Sequence, residues 1–188
     1  MEFLNRIEEQ DILKAEIAKP DSRFIVLYGR RRIGKSALLQ HVLKKNCIYY
    51  LADINEAEVQ RSFFISQFSE LIPGIDRVQF SDWNTLFNLI NNQLKHKITI
   101  CIDEFPNLVQ TSPELPSVIQ KIIDMKQNSK FHLILCGSSQ QMMQGLVLDK
   151  TSPLFGRAHR IMKLMPMSIQ WLSEVLKITP AQAVEEYA

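Results

Sequence analysis

The sequence predicts a three-layer α/β domain, with a mainly parallel five-stranded sheet and helices on both faces. Three observations predict it. Five short apolar runs alternate with segments of helical period. Three of those runs are apolar nearly throughout, as strands covered on both faces of a parallel sheet must be. A glycine-bracketed loop joins the first run directly to a helical segment.

The five predicted strands are Phe24 to Tyr28, Ile48 to Leu51, Ile98 to Ile102, Phe131 to Cys136 and a weaker one at Ile161 to Leu164. The covering helices follow from apolar residues spaced by three and four. One carries Val59, Phe63, Phe64, Phe68, Leu71 and Ile72; the next carries Trp83, Leu86, Phe87, Ile90 and Leu94; a third carries Leu115, Val118, Ile119 and Ile122. Ser81 or Asp82 before Trp83 is a candidate N-cap, and Pro73-Gly74 and Ser112-Pro113 mark loops. The expected organisation is a core over residues 1–167, opened by a helix over 3–18. The start of a C-terminal helical region follows over 168–188, so the chain reads as part of something longer.

Composition excludes more than it assigns. The chain has 188 residues, 46% hydrophobic and 22% charged, which is enough for one sizeable core and too apolar for disorder. A formal net charge of +2 with both signs interspersed provides no global field for nucleic acid or anionic membrane. Cys47, Cys101 and Cys136 lie far apart in apolar runs, the usage of reduced buried thiols, and no apolar run approaches 18 residues. A cytoplasmic chain that spans no membrane is expected. His41, His96, His132 and His159 make no metal-ligand spacing with the cysteines, and His132 inside a strand is expected to be a satisfied core residue.

After the first strand comes Gly29-Arg30-Arg31-Arg32-Ile33-Gly34-Lys35-Ser36, then the helical Ala37 to Leu43. This is the GxxxxGK[ST] pattern between a strand and a helix. Its glycines let successive backbone N–H groups line one concavity, and the helix start adds its positive end, so a polyanion fits. Lys35 is expected to reach the β and γ phosphates, and Ser36 to complete the coordination of Mg²⁺. Arg30, Arg31 and Arg32 either contact nucleotide or an acidic partner, or form a solvated basic turn.

The third strand ends in Asp103-Glu104, at the carboxyl edge where parallel sheets bind ligands. Asp103 is expected to hold Mg²⁺ through water, and Glu104 to orient or deprotonate an attacking water. The fourth strand ends in Gly137-Ser138-Ser139, with Ser138 the candidate γ-phosphate sensor and a serine available to cap the next helix. Arg157 and Arg160 flank the last strand. Either is a candidate for stabilising the transferring phosphoryl group, in cis or from a neighbouring subunit.

Together these residues resemble the archaeal-type ATPases of the STAND group, AAA-like P-loop NTPases. Phe3-Leu4-Asn5-Arg6 with Glu9 and Leu13 is similar to the family's FxxR-type leading helix, and Gly29 to Ser36 to its GRRRxGKS/T loop. Asp103-Glu104 matches its Walker B end, Gly137 to Ser139 its sensor strand, and Ser152 to Arg157 its SPLxGR segment. The resemblance implies ATP and Mg²⁺ as ligands. It also implies a sensor strand between the Walker A and Walker B strands, Phe3 or Arg6 near the adenine, and Arg157 acting in trans. Members usually continue into a lid and further domains, which implies self-association and a DNA or protein effector engaged through that region. Two functions follow as expectations: ATP hydrolysis to ADP and phosphate as the switch or motor of a larger protein, or a regulatory module that assembles on ATP with little catalysis. A P-loop kinase acting on a small molecule fits less well, because Asp103-Glu104 suits water as the acceptor.

Overall fold

A computed structural model of the chain describes residues 6–44, 46–125, 129–168, 171, 173, 177–179, 181 and 182. The elements, in order, are α1 (Ile7–Ile17), β1 (Phe24–Tyr28), α2 (Lys35–Val42), β2 (Cys47–Leu51), α3 (Ala57–Ser66), a 3-10 turn (Ile75–Arg77), α4 (Trp83–Gln93), β3 (Ile98–Asp103), α5 (Phe105–Thr111), α6 (Leu115–Asp124), β4 (Phe131–Gly137), α7 (Gln140–Val147) and β5 (Arg160–Lys163). The five strands form one sheet in the order β2-β3-β4-β1-β5, and every pairing is parallel. The strand bearing Ser138's turn, β4, lies between β1 and β3, as the resemblance implied.

Side chains alternate across the sheet, and the alternation builds two cores. Phe24, Val26, Ile100, Ile102, Leu133 and Leu135 point to one face, where they join Phe64, Trp83, Phe87, Leu108 and Ile119 from the helices after β2. Ile25, Leu27, Cys101, Ile134 and Cys136 point to the other, covered by Leu13 of α1 and by Leu38 and Leu39 of α2. The three layers are therefore real, and β1, β3 and β4 are buried along their whole length.

The stripe read from Val59 to Ile72 differs from expectation. The helix stops at Ser66, and Phe68 and Ile72 are buried from the turns that follow. Val59 and Phe63 are exposed, at 38% and 50%. The inward position is taken by Gln60, which is fully buried because its amide is satisfied: Oε1 accepts from the Tyr50 hydroxyl at 3.2 Å, and Nε2 donates to Asn55 O and Thr111 Oγ1, both at 3.2 Å. Apolar spacing cannot register a buried amide.

Asp82 caps α4, its Oδ1 accepting from Thr85 N–H at 2.8 Å, and Ser139 caps α7 by accepting from Met142 N–H at 3.4 Å. His132 is a core residue as expected; its Nδ1 accepts from Arg23 N–H at 3.1 Å. Burial, with help from the Lys97 charge, pulls its pKa down to about 4. A histidine kept neutral in the folded state takes up its proton more readily unfolded, so stability is expected to fall as pH drops from about 6.5 towards about 4. Thermal unfolding between pH 7 and 5, with an NMR titration of His132, checks this; a His132 that titrates in the ordinary range overturns it.

Candidate active site

Strand β1 delivers the chain to the glycine-bracketed loop at the carboxyl edge of the sheet. A Cβ on Gly29 would lie 2.5 Å from Leu164 O and 2.6 Å from Ile33 Cδ1, so only glycine lets the loop leave β1 beside the end of β5. Gly34 turns the chain into α2 with φ of 88°, and Leu38 N–H donates back to Gly34 O at 2.9 Å. Lys35 is buried, its ammonium donating to Gly29 O at 2.9 Å and Arg30 O at 2.8 Å across the mouth of the loop. Gly29→Ala is expected to cost about 2 kcal/mol, the scale of overpacking, together with loop geometry. Urea unfolding and ATP affinity measured side by side test this, and an unchanged pair of values would sink the close-approach argument.

The acidic pair ends β3 on the same edge. Asp103 is buried, at 1% exposure, and on the face shared with α2. Its Oδ2 accepts from Ser36 Oγ at 2.5 Å and from the Tyr49 hydroxyl at 2.5 Å, and its Oδ1 accepts from Glu104 N–H at 2.9 Å. Burial alone would raise the carboxyl pKa, but donation from Ser36, Tyr49, the Cys136 thiol and Glu104 N–H outweighs it and holds the group below its ordinary value. Ser36 and Asp103 together present hard oxygen donors, the chemistry that suits Mg²⁺.

Glu104 turns the backbone at a left-handed φ of 53°, and its carboxylate reaches the end of β4. Its Oε2 accepts from Ser138 N–H at 3.1 Å and Ser138 Oγ at 3.0 Å. The guanidinium of Arg31 approaches the same serine, Nε donating to Ser138 Oγ at 3.4 Å. Arg31, Arg32, Gly34, Lys35, Ser36, Ala37 and Glu104 line an open cavity of about 410 Å³. An anion within it would face the positive end of α2, Lys35 and two guanidiniums, with the Glu104 carboxylate also in the lining.

The other expected residues divide between the loop backbone and more distant positions. Arg30 contributes its carbonyl to Lys35 while its side chain is exposed. The carbonyl of Ile33 accepts from Arg6 Nη2 at 2.9 Å, and the same nitrogen donates to Met165 O at 2.8 Å while Nη1 donates to Glu9 at 3.0 Å. The buried Arg6 guanidinium thus ties the first helix, the loop and the segment after β5 together through backbone carbonyls. Phe3 lies outside the described residues. Arg157 and Arg160 stand at the amino edge of the sheet, where His159 N–H bonds to Phe24 O at the start of β1. Arg157 makes a two-point ion pair with Asp124, at 3.0 and 3.1 Å, beside a separate cleft of about 960 Å³. That placement puts the whole length of β1 between Arg157 and Lys35. Tyr49 is a site residue that no sequence motif marks, since it lies inside the run Ile48 to Leu51 that predicts a strand. Only the pairing of β2 with β3, which sets Tyr49 opposite Cys101 and Leu51 opposite Asp103, puts its hydroxyl on the acidic residue.

A parallel sheet with a glycine-bracketed polyanion loop, an Asp-Glu pair and a serine at the neighbouring strand end defines a P-loop ATPase core. The chain belongs to the family described as the ATPase domain predominantly from Archaea, which matches residues 3–185. It is 40% identical over 174 residues to an uncharacterized protein of Methanocaldococcus jannaschii, covering 92% of this chain and 38% of that protein. Among solved structures it is similar to the Aeropyrum pernix ORC1 protein in complex with DNA, with a TM-score of 0.67 at 17% identity over 97% of this chain and 50% of that one. It is also similar to a Pyrococcus horikoshii STAND protein with a tetratricopeptide repeat sensor, with a TM-score of 0.62 at 18% identity over 98% of this chain and 27% of that one. The chain therefore spans about two-fifths of that curated relative's length, and these structures share its fold. No helix among the described residues is long and apolar enough to cross a membrane.

Proposed function

We propose that the chain binds ATP with Mg²⁺ and hydrolyses it to ADP and phosphate, as the switch or motor core of a larger protein. The observation that carries this reading is that Lys35, Ser36 and Glu104 line one cavity at one sheet edge, with Asp103 bonded to Ser36 and Ser138 bonded to Glu104 behind them. Lys35 supplies a point charge to the phosphates, and Arg31 and Arg32 add guanidiniums at the loop mouth. Ser36 and Asp103 would hold Mg²⁺, whose chemistry is to neutralise charge developing on the phosphate oxygens. Glu104 takes the proton as the water oxygen bonds to the γ-phosphorus and the bond to the bridging oxygen of ADP breaks. Ser138 orients Glu104 by donating its hydroxyl to Oε2, and is the candidate to sense the γ-phosphate beside it.

The test is turnover of Mg²⁺-ATP by the chain, by Lys35→Ala and by Glu104→Gln. Equal rates for all three would remove the site assignment. Lys35→Ala is expected to lose both nucleotide affinity and turnover, since it deletes the buried cation at the loop mouth.

A second reading, a nucleotide-operated module with little turnover, is favoured by the two hydrogen bonds that tie the Glu104 carboxylate to Ser138. On that reading Arg157 works only from a neighbouring copy, and a DNA or protein effector engages the larger protein. Sedimentation with and without ATP separates the two. Assembly on ATP with negligible turnover supports the module, and a monomer that hydrolyses ATP removes it.

A further inference from the structure

We propose that Tyr49 is a positioning residue for the metal: its hydroxyl locks the Asp103 carboxylate so that Ser36 is correctly presented to a divalent cation. The inference rests on the nucleotide-site reading above and extends it to a residue on the edge strand. Tyr49 belongs to β2, and no part of the loop or of the acidic pair requires it there. Yet its hydroxyl sits 2.5 Å from the very oxygen, Oδ2, that receives the Ser36 hydroxyl at 2.5 Å.

An ionised carboxylate has about four acceptor sites. Here Ser36 and Tyr49 share Oδ2, and Glu104 N–H occupies Oδ1. The protein's own donors thus fill three of those sites and leave one on Oδ1 for a water. A carboxylate held in this way acts on a cation through the Ser36 hydroxyl and through water, and it does not swing in to replace them. Tyr49 is the donor best suited to prevent that swing, because its ring is anchored in β2 by pairing with β3 on the face covered by α2. Removing it frees one site on Oδ2 and lets the carboxylate rotate away from Ser36. Partners of this kind, which orient a metal ligand from behind, typically change metal affinity by about 10- to 100-fold.

The experiment uses the full 188-residue chain with a non-hydrolysable ATP analogue. Mn²⁺ binding is followed by electron paramagnetic resonance, and analogue binding is measured separately in EDTA. Tyr49→Phe is expected to weaken Mn²⁺ binding about tenfold and leave analogue affinity in EDTA unchanged. Mn²⁺ affinity equal to or tighter than wild type overturns the proposal, and so does a matching loss in EDTA, which marks Tyr49 as a merely structural residue. If wild type binds the analogue in neither condition, the nucleotide-site reading falls and this inference with it. Should Tyr49→Phe fail to fold, 3-fluorotyrosine at position 49 keeps both ring and donor. Its ¹⁹F resonance is expected to shift on addition of Mg²⁺ with the analogue, and an unmoved resonance overturns the proposal.

Discussion

Glu104→Gln is expected to lower ATP turnover by about 10²- to 10⁴-fold, the usual contribution of a positioned general base, while ATP binding stays near wild type. The substitution is close to isosteric, and the geometry favours its tolerance. Ser138 donates to Glu104 Oε2 from both its N–H and its hydroxyl, and an amide oxygen accepts the same two bonds. The left-handed backbone at position 104 is unchanged by the swap. What is lost is the ability to take a proton from water. Single-turnover rates and equilibrium ATP affinity, measured together, check this. A rate within a few-fold of wild type would show that some other group activates the water, and a collapse in affinity would place Glu104 in binding instead.

Phe64→Ala is expected to destabilise the fold by about 3–5 kcal/mol, the range for deleting a buried aromatic ring. Phe64 is fully buried at the centre of the aromatic cluster on the face away from α2. Its ring lies 5.4 Å from Tyr50, 5.3 Å from Phe68, 5.5 Å from Trp83 and 5.5 Å from Phe87. Truncation therefore leaves a cavity that four rigid rings cannot close, and edge-to-face contacts are lost with it. The neighbouring Phe63, half-exposed on the same helix, is the internal control: Phe63→Ala is expected to cost about 1 kcal/mol or less. Urea or thermal unfolding of the two variants decides the matter, and similar losses for both would contradict the burial pattern.

The contrast between Phe63 and Phe64 shows where sequence reading stops. The periodicity over Val59 to Ile72 announces a helix with an apolar stripe, but the stripe is about 100° wide and adjacent residues share it ambiguously. Gln60 decided the rotation, through an amide satisfied by Tyr50 and by Thr111, which lies far along the chain. The cap at Asp82 was legible because it is a bond within four residues. The loop from Gly29 to Ser36 was legible for the same reason, since strand, turn and helix N-terminus are contiguous and the anion cradle is made by local backbone.

What the amino-acid sequence determined by itself is local and periodic: the five strands, the Gly29–Ser36 loop, Asp103-Glu104 at a strand end and Ser138 at the next. What only the tertiary structure decided depends on which strand lies beside which. Register between β2 and β3 brought Tyr49 onto Asp103. The insertion of β4 between β1 and β3 brought Ser138 to Glu104. Strand direction sent Arg157 to the opposite edge, onto Asp124. Arg6, which the sequence motif singled out, clamps the carbonyls of Ile33 and Met165, which are brought together by the β1–β5 pairing. Hydrogen bonds reach about 3 Å, so a site assembled from residues on separate strands requires the packed sheet before its partners can meet.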